Sequence, residues 1–177
     1  MIKNKKWVAL FSHTGNEIVN LSDKLSRSPD LVITNNTPGD VNLDKNIIKK
    51  NIVYTDKKPT VESYRTLLED ADIVTLHGWM RIIPKEICKE YNIYNLHPGL
   101  ITKYPELKGA DPQKRVAVCL DDRYKRIGCV IHKVIPKVDE GKVLLESSIA
   151  NDFYSEEAIC CQLHEMALSL WLELLHD

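Results

Sequence analysis

Short apolar runs punctuate the first half of the chain. Trp7–Ser12, Asp30–Thr34, Asn51–Thr55, Asp72–His77 and Asn92–His97 are brief and lack clean alternation. That is the pattern of strands buried on both faces of a parallel sheet. Between them lie stretches of helical character at Gly15–Ser26, Thr60–Glu69, Ile83–Tyr91 and Asp111–Leu120. Thr60 suits an N-cap, Pro84 falls in a first turn, and Asp111-Pro112 joins a capping residue to a proline at the first helical position. The βα alternation predicts an open, doubly wound α/β sheet with helices on both faces.

The pattern then changes. IGCVIHKVI and KVLLESSIA flank the turn-like PKVDEG, which predicts two strands joined by a loop and therefore a mixed sheet. In the closing stretch, Ile159, Leu163, Met166, Leu170 and Leu174 recur at helical spacing, with Glu157, Glu165 and Glu173 off that stripe. Ser155 suits the N-cap, and Glu156 and Glu157 suit the positive end of the helix dipole. This predicts a core-packing helix. No repeat, low-complexity segment or linker divides the chain, so residues 1–177 read as one domain.

Composition narrows this picture only slightly. Apolar residues make up 44% and charged residues 28%, as in soluble globular proteins. The net charge of −1 requires neither a nucleic-acid nor a membrane partner. The apolar run Trp7–Phe11 is too short for a signal-peptide core. The cysteines, Cys88, Cys119, Cys129, Cys160 and Cys161, are odd in number and form no C-x-x-C pair. They read as reduced, mostly buried thiols of a cytoplasmic protein. The scattered histidines form no H-x-x-x-H pair beside a carboxylate, so no metal site is expected.

Ligands of open α/β sheets bind beyond the carboxyl ends of the strands. SHTGNE follows the first predicted strand, GWMR the fourth, and NLHPG closes the fifth, which places all three on one edge. Asn95 and His97 are two residues apart and share a strand face, and Pro98 ends the ladder behind them. An amide donor beside a proton carrier suits a carbonyl carbon under attack. Taken alone, the pair reads more readily as a structural strand end. Asp139 and Glu140, beside Gly141, offer a carboxylate, although acids in turns are usually just solvated. Arg81 either meets an acidic ligand or lies along the surface. His132, alternating with Val130 and Val134, reads as a buried, satisfied histidine.

Taken together, three segments resemble the folate-dependent formyltransferases, most nearly the phosphoribosylglycinamide branch. ADIVTLHGWMRIIP resembles the family's folate-pocket strand and loop. YNLHPGLITKYP resembles its N-x-H-P-S-L-L-P-K-Y-P strand and loop. IGCVIHKVIPKVDEGKVLL resembles its G-x-x-V-H-x-V…D-x-G hairpin, with seven residues from His132 to Asp139. The resemblance covers most of the chain and is strongest over Ala71–Ile149. It implies the formyltransferase fold, a Rossmann-like, mostly parallel twisted sheet with a C-terminal β-hairpin and helix.

It also implies formyl transfer from 10-formyltetrahydrofolate to an amine, with Asn95, His97 and Asp139 as the catalytic set and no metal. Asn95 and His97 would stabilise the oxyanion while Asp139 tunes His97. Met80, Arg81, Ile82, Ile83, Val134 and Val138 would line the folate pocket, with His132 in support. Ser12, Thr14, Gly15, Asn16, Pro98 and Gly99 would meet the acceptor. The implied partners are folate and a small-molecule amine such as glycinamide ribonucleotide or a related amine-bearing nucleotide or sugar. The implied assembly is a monomer or homodimer.

Three departures accompany the resemblance. The family's phosphate loop is rich in Gly and Ser, whereas SHTGNE brings in His13 and the negative charge of Glu17, which opposes a phosphate. HPG replaces HPS, and PELKGADPQKR replaces a short loop, closer to the R-G-x-x-P segment of methionyl-tRNA and sugar formyltransferases. The family's further C-terminal segment has no counterpart in these residues. The donor half is therefore expected to be kept and the acceptor half rebuilt, with Lys103, Lys108, Lys114 and Arg115 available to an anionic acceptor. Alternative readings are a 10-formyltetrahydrofolate hydrolase and a silent folate- or nucleotide-binding module. A dinucleotide site lacks its G-x-G-x-x-G.

Overall fold

The computed structural model describes residues 2–118, 123–152 and 155–176. The strands are β1 (Trp7–Phe11), β2 (Leu31–Thr34), β3 (Ile52–Tyr54), β4 (Ile73–His77), β5 (Ile93–His97), β6 (Arg126–Lys133) and β7 (Val143–Ala150). The helices are α1 (Asn16–Leu25), α2 (Val61–Leu67), α3 (Lys85–Glu90), α4 (Pro112–Val118) and α5 (Glu156–His176). Among the described residues the strands form one sheet in the order β3-β2-β1-β4-β5-β6-β7. The first five run parallel, and β6 and β7 pair antiparallel. The sheet is therefore mixed, as the change of pattern predicts.

Burial explains which runs became strands. Every residue of the central β1 and β4 is buried, so these strands have apolar residues throughout except for Thr75 and His77. β3, at the edge, is only half-buried, against the expectation of strands covered on both faces. Helix ends follow local chemistry. The Thr60 hydroxyl accepts the Ser63 N–H at 3.1 Å at the head of α2, and Ser155 accepts the Ala158 N–H at 3.1 Å ahead of α5. Gly15 precedes α1 at φ 77, where a Cβ would lie 2.8 Å from Ile47. The predicted Asp111–Leu120 helix is described over Pro112–Val118, and its last two positions, Cys119 and Leu120, lie outside the described residues.

The two faces are covered differently. α2 and α3 pack with Val8, Leu10, Val74, Leu76 and Ile93. On the other face α5 buries Ile159, Leu163, Met166, Leu170 and Leu174 with Trp7, Ile73 and Ile131, beside α1. The predicted stripe is thus the buried one. α5 is long and apolar enough to cross a bilayer, yet here this stripe packs on the sheet. Each such side chain contributes roughly 1.5–3 kcal/mol on burial. Cys88 and Cys129 are buried, and burial pushes the Cys129 thiol up to about 12. Cys161 is exposed, which departs from the expectation of mostly buried thiols.

Because β1 and β4 are neighbours, the chain winds outward from them in both directions. α1 follows β1 on one face, and α3 follows β4 on the other. The carboxyl ends of these two strands mark the switch point, where a doubly wound sheet opens a crevice.

Candidate functional site

Antiparallel register brings the first side chains together. Asn95 pairs with His132 and His97 with Val130, and directly paired residues project to the same face. Asn95 Nδ2 lies 3.2 Å from His132 Nε2. His132 Nδ1 lies 3.1 Å from the Lys133 carbonyl, an acceptor only, so Nδ1 carries the proton and Nε2 accepts from Asn95. One amide hydrogen of Asn95 is thereby fixed, and its second remains for another acceptor.

Asp139 reaches the pair from the loop between β6 and β7. It adopts φ 52, and two residues on a Cβ at Gly141 would stand 1.6 Å from the Lys133 carbonyl oxygen. Only glycine lets the loop close this tightly. Asp139 Oδ2 lies 3.2 Å from His97 Nδ1, and Oδ1 lies 3.3 Å from His132 Nε2. The Gly109 N–H donates to Oδ2 at 2.8 Å. On the other side of its ring, His97 Nε2 donates to the Leu107 carbonyl at 2.9 Å. His97, His132 and Asp139 are all buried, so Asp139 is not the solvated turn acid that its position suggests.

Burial lowers the His97 pKa, and the opposing pulls of Asp139 and the Leu107 carbonyl do not offset it. Burial also works against the Asp139 carboxylate. The interaction with His132, the charge of His97 and the Gly109 amide outweigh it and hold the Asp139 pKa below the usual range. The resting state near neutral pH is a neutral His97 beside an ionised Asp139. With Nε2–H committed to Leu107, the lone pair of His97 Nδ1 faces the carboxylate, and the contact lacks one proton. A proton arriving at Nδ1 completes hydrogen bonds on both sides of the ring.

The loop after β5 holds this arrangement. The Arg115 guanidinium donates to the carbonyls of Lys108 at 2.8 Å, Ala110 at 3.0 Å and Leu107 at 3.3 Å, and also to that of Glu106. Lys108 Nζ pairs with Glu140 Oε1 at 2.8 Å, and Lys103 Nζ lies 5.6 Å from the centroid of the Tyr104 ring. Three of the four cations expected to await an anionic acceptor therefore have internal partners, and Lys114 is exposed. Gly99 is buried, and a Cβ there would lie 2.9 Å from both His97 Nε2 and Pro112 Cβ. Without a side chain, Gly99 leaves this space to the ring. It packs closely against the His97 ring at the turn after β5.

Around this centre, Met80, Ile82 and Val138 are 50%, 73% and 51% exposed, a large share for apolar side chains on the loops beyond β4 and β6. Val134 is partly buried against the core. Arg81 folds back, its Nε donating to the Lys57 carbonyl at 2.5 Å and its terminal nitrogen to that of Met80 at 2.9 Å. The Ile83 side chain is buried in the core, and its carbonyl accepts from Cys88 Sγ at 3.6 Å. Its side chain therefore anchors the loop from beneath.

The expected acceptor loop is tied into its neighbours. Ser12 Oγ accepts the Met80 N–H at 3.0 Å, and Thr14 Oγ1 accepts the Asn16 N–H at 3.3 Å. Gly15 is buried and Asn16 is exposed. Sequence reasoning did not single out His77. Its Nδ1 lies 2.6 Å from Glu17 Oε2, and its Nε2 lies 2.8 Å from Thr75 Oγ1, which also accepts the Trp7 indole N–H at 2.8 Å. The ring packs against Trp171 at 4.8 Å between centroids.

The chain is similar to several known proteins. A phosphoribosylglycinamide formyltransferase from Dictyostelium discoideum is 38% identical over 86 residues, covering 44% of this chain and 40% of its own length. A methionyl-tRNA formyltransferase from Thermotoga maritima is 30% identical over 122 residues, covering 67% of this chain and 36% of its own length. The chain thus spans well under half of either relative. The crystal structure of phosphoribosylglycinamide formyltransferase from Anaplasma phagocytophilum superimposes with a TM-score of 0.81 at 23% identity, over 97% of this chain and 85% of that one. Residues 8–170 match the formyl transferase domain, and this chain belongs to the formyl transferase family.

Proposed function

We propose that the chain transfers a formyl group from 10-formyltetrahydrofolate, a co-substrate, to the amine of a small acceptor. The observation that carries this reading is the buried constellation in which Asn95 keeps one amide hydrogen free beside a His97–Asp139 pair short of one proton. An unprotonated acceptor amine attacks the formyl carbon. The free Asn95 N–H donates to the formyl oxygen as it gains charge, a role typically contributing about 10²–10³ in rate. The His97–Asp139 pair takes the proton released by the amine and returns it to the leaving nitrogen of the folate. A new amide C–N bond forms as the old one breaks, with no net change in protons.

The exposed apolar side chains of Met80, Ile82 and Val138 fit the flat ring of a folate. Val134 and the backbone around Arg81–Ile83 complete that side. Ser12, Thr14, Gly15 and Asn16 shape the acceptor end, with Pro98 at the turn after β5. Candidate acceptors are glycinamide ribonucleotide and related amine-bearing nucleotides or sugars, in a cytoplasmic setting of one-carbon metabolism and purine biosynthesis. Residues 1–177 act as one formyltransferase unit. The test supplies 10-formyl-dideazafolate with a panel of such amines and follows the deformylated folate. Turnover that depends on an amine supports the reading. Formate release at the same rate without any amine would identify a hydrolase, and binding without turnover a silent module.

A further inference from the structure

The crevice between the ends of β1 and β4 contains a pair of ionisable side chains that the transfer chemistry does not use. Glu17 lies in the first turn of α1, and His77 closes β4. The His77 side chain is 1% exposed and that of Glu17 26%, so the carboxylate is the part of the pair open to solvent. A hydrogen-bonded series fixes it from below, running from the Trp7 indole through the Thr75 hydroxyl and the His77 ring to Glu17 Oε2. Trp171 packs on the ring and limits its reorientation. A second carboxylate, Asp44, lies beside the same loop, its N–H donating to the Thr14 carbonyl at 2.9 Å.

Helix heads at such crevices ordinarily favour anions, through free N–H groups and the positive end of the dipole. Here the chain's own carboxylate occupies that position. Of the basic side chains that the sequence offers to an anion, Lys103, Lys108 and Arg115 have internal partners, and Lys114 is exposed. β4 and β5 are neighbours, with Leu76 opposite Asn95, so His77 and the Asn95–His97 pair end at the same edge of the sheet.

Resting on the transfer reading above, we propose that the Glu17–His77 pair sets acceptor choice. It gives the crevice to an unphosphorylated amine compound whose hydroxyl or ammonium group donates to Glu17, and it disfavours a phosphate at that end.

The experiment measures binding of glycinamide ribonucleotide and of its dephosphorylated ribonucleoside by calorimetry, to the wild type and to Glu17→Gln, with formyl transfer followed separately. Gln keeps an acceptor for His77 Nδ1–H and removes the charge. The wild type is expected to bind the ribonucleoside at least as tightly as the ribonucleotide. Glu17→Gln is expected to shift the ratio about tenfold toward the phosphorylated compound. A wild type that prefers the ribonucleotide tenfold overturns the proposal even if the variant does not fold. An unchanged ratio in a folded variant, or no binding of either compound to either protein, overturns it as well. Binding with the expected ratio but without formyl transfer would leave the proposal standing and overturn the transfer reading.

Discussion

Replacing Asp139 by Asn removes one charge and almost no volume. The carboxylate lies 3.2 Å from His97 Nδ1. Opposite charges at that separation attract by about 5 kcal/mol at an effective dielectric near 20. The amide oxygen of Asn can still accept the Gly109 N–H, and removing the charge also relieves its desolvation, so about 3–4 kcal/mol should be lost. That loss falls on the state in which His97 holds the acceptor's proton, because only then is the ring charged. The expected result is a fall in kcat of roughly 10²–10³-fold, with little change in KM for the folate donor. The carboxylate raises the His97 pKa against the larger effect of burial, so its removal should move the acid limb of the pH–rate profile to lower pH. Steady-state deformylation of 10-formyl-dideazafolate from pH 5 to 9 measures both, with a thermal melt to confirm folding. A folded Asp139→Asn enzyme within threefold of wild type, with an unmoved acid limb, would refute the coupling of Asp139 to His97.

Asn95→Ala should cost about a hundredfold or more in kcat, since the free amide hydrogen acts on charge that develops during transfer. An effect confined to KM would show that Asn95 only binds. Gly99→Ala places a Cβ 2.9 Å from His97 Nε2 and Pro112 Cβ. About 1–3 kcal/mol of overpacking should follow, read as a melting temperature lower by about 2–10 °C, together with reduced turnover as the ring moves off the Leu107 carbonyl. Acidification should destabilise the fold in two stages. The folded pKa of His97 lies below its unfolded value near 6.5, so stability present above about pH 6.5 is lost as pH falls toward the folded value. The Asp139 contribution is full above its unfolded value near 3.9 and is lost as pH falls through its lower folded value. Urea melts at several pH values check this, and His97→Gln should lack the upper stage.

The parallel half of the fold was legible because buried strands must be apolar throughout. Trp7–Phe11 and Ile73–His77 announce themselves, and capping residues such as Thr60 and Ser155 mark helix starts. Asn95, His97 and Asp139 were singled out as a set only by the family resemblance, because the Asn95–His97 pair alone reads more readily as a structural strand end. What stayed hidden depends on pairing between distant segments. His132 sounds like any core histidine until antiparallel register sets it opposite Asn95. His77 and Glu17 are sixty positions apart, and only the adjacency of β1 and β4 joins them. Arg115 offers a charge in sequence, but the fold turns it onto its own loop carbonyls. A positive φ at Asp139 gives no sequence signal beyond the neighbouring Gly141.

The central claim is that a formyl carbon passes through the Asn95–His97–Asp139 site to an amine. Supplying 10-formyltetrahydrofolate labelled with carbon-13 in the formyl group, with an amine acceptor, lets NMR follow that carbon directly. The label should appear as a formamide on the acceptor, at a rate about a hundredfold lower in Asn95→Ala. Label that stays on the folate, or that appears only as free formate whether or not an amine is present, would contradict it.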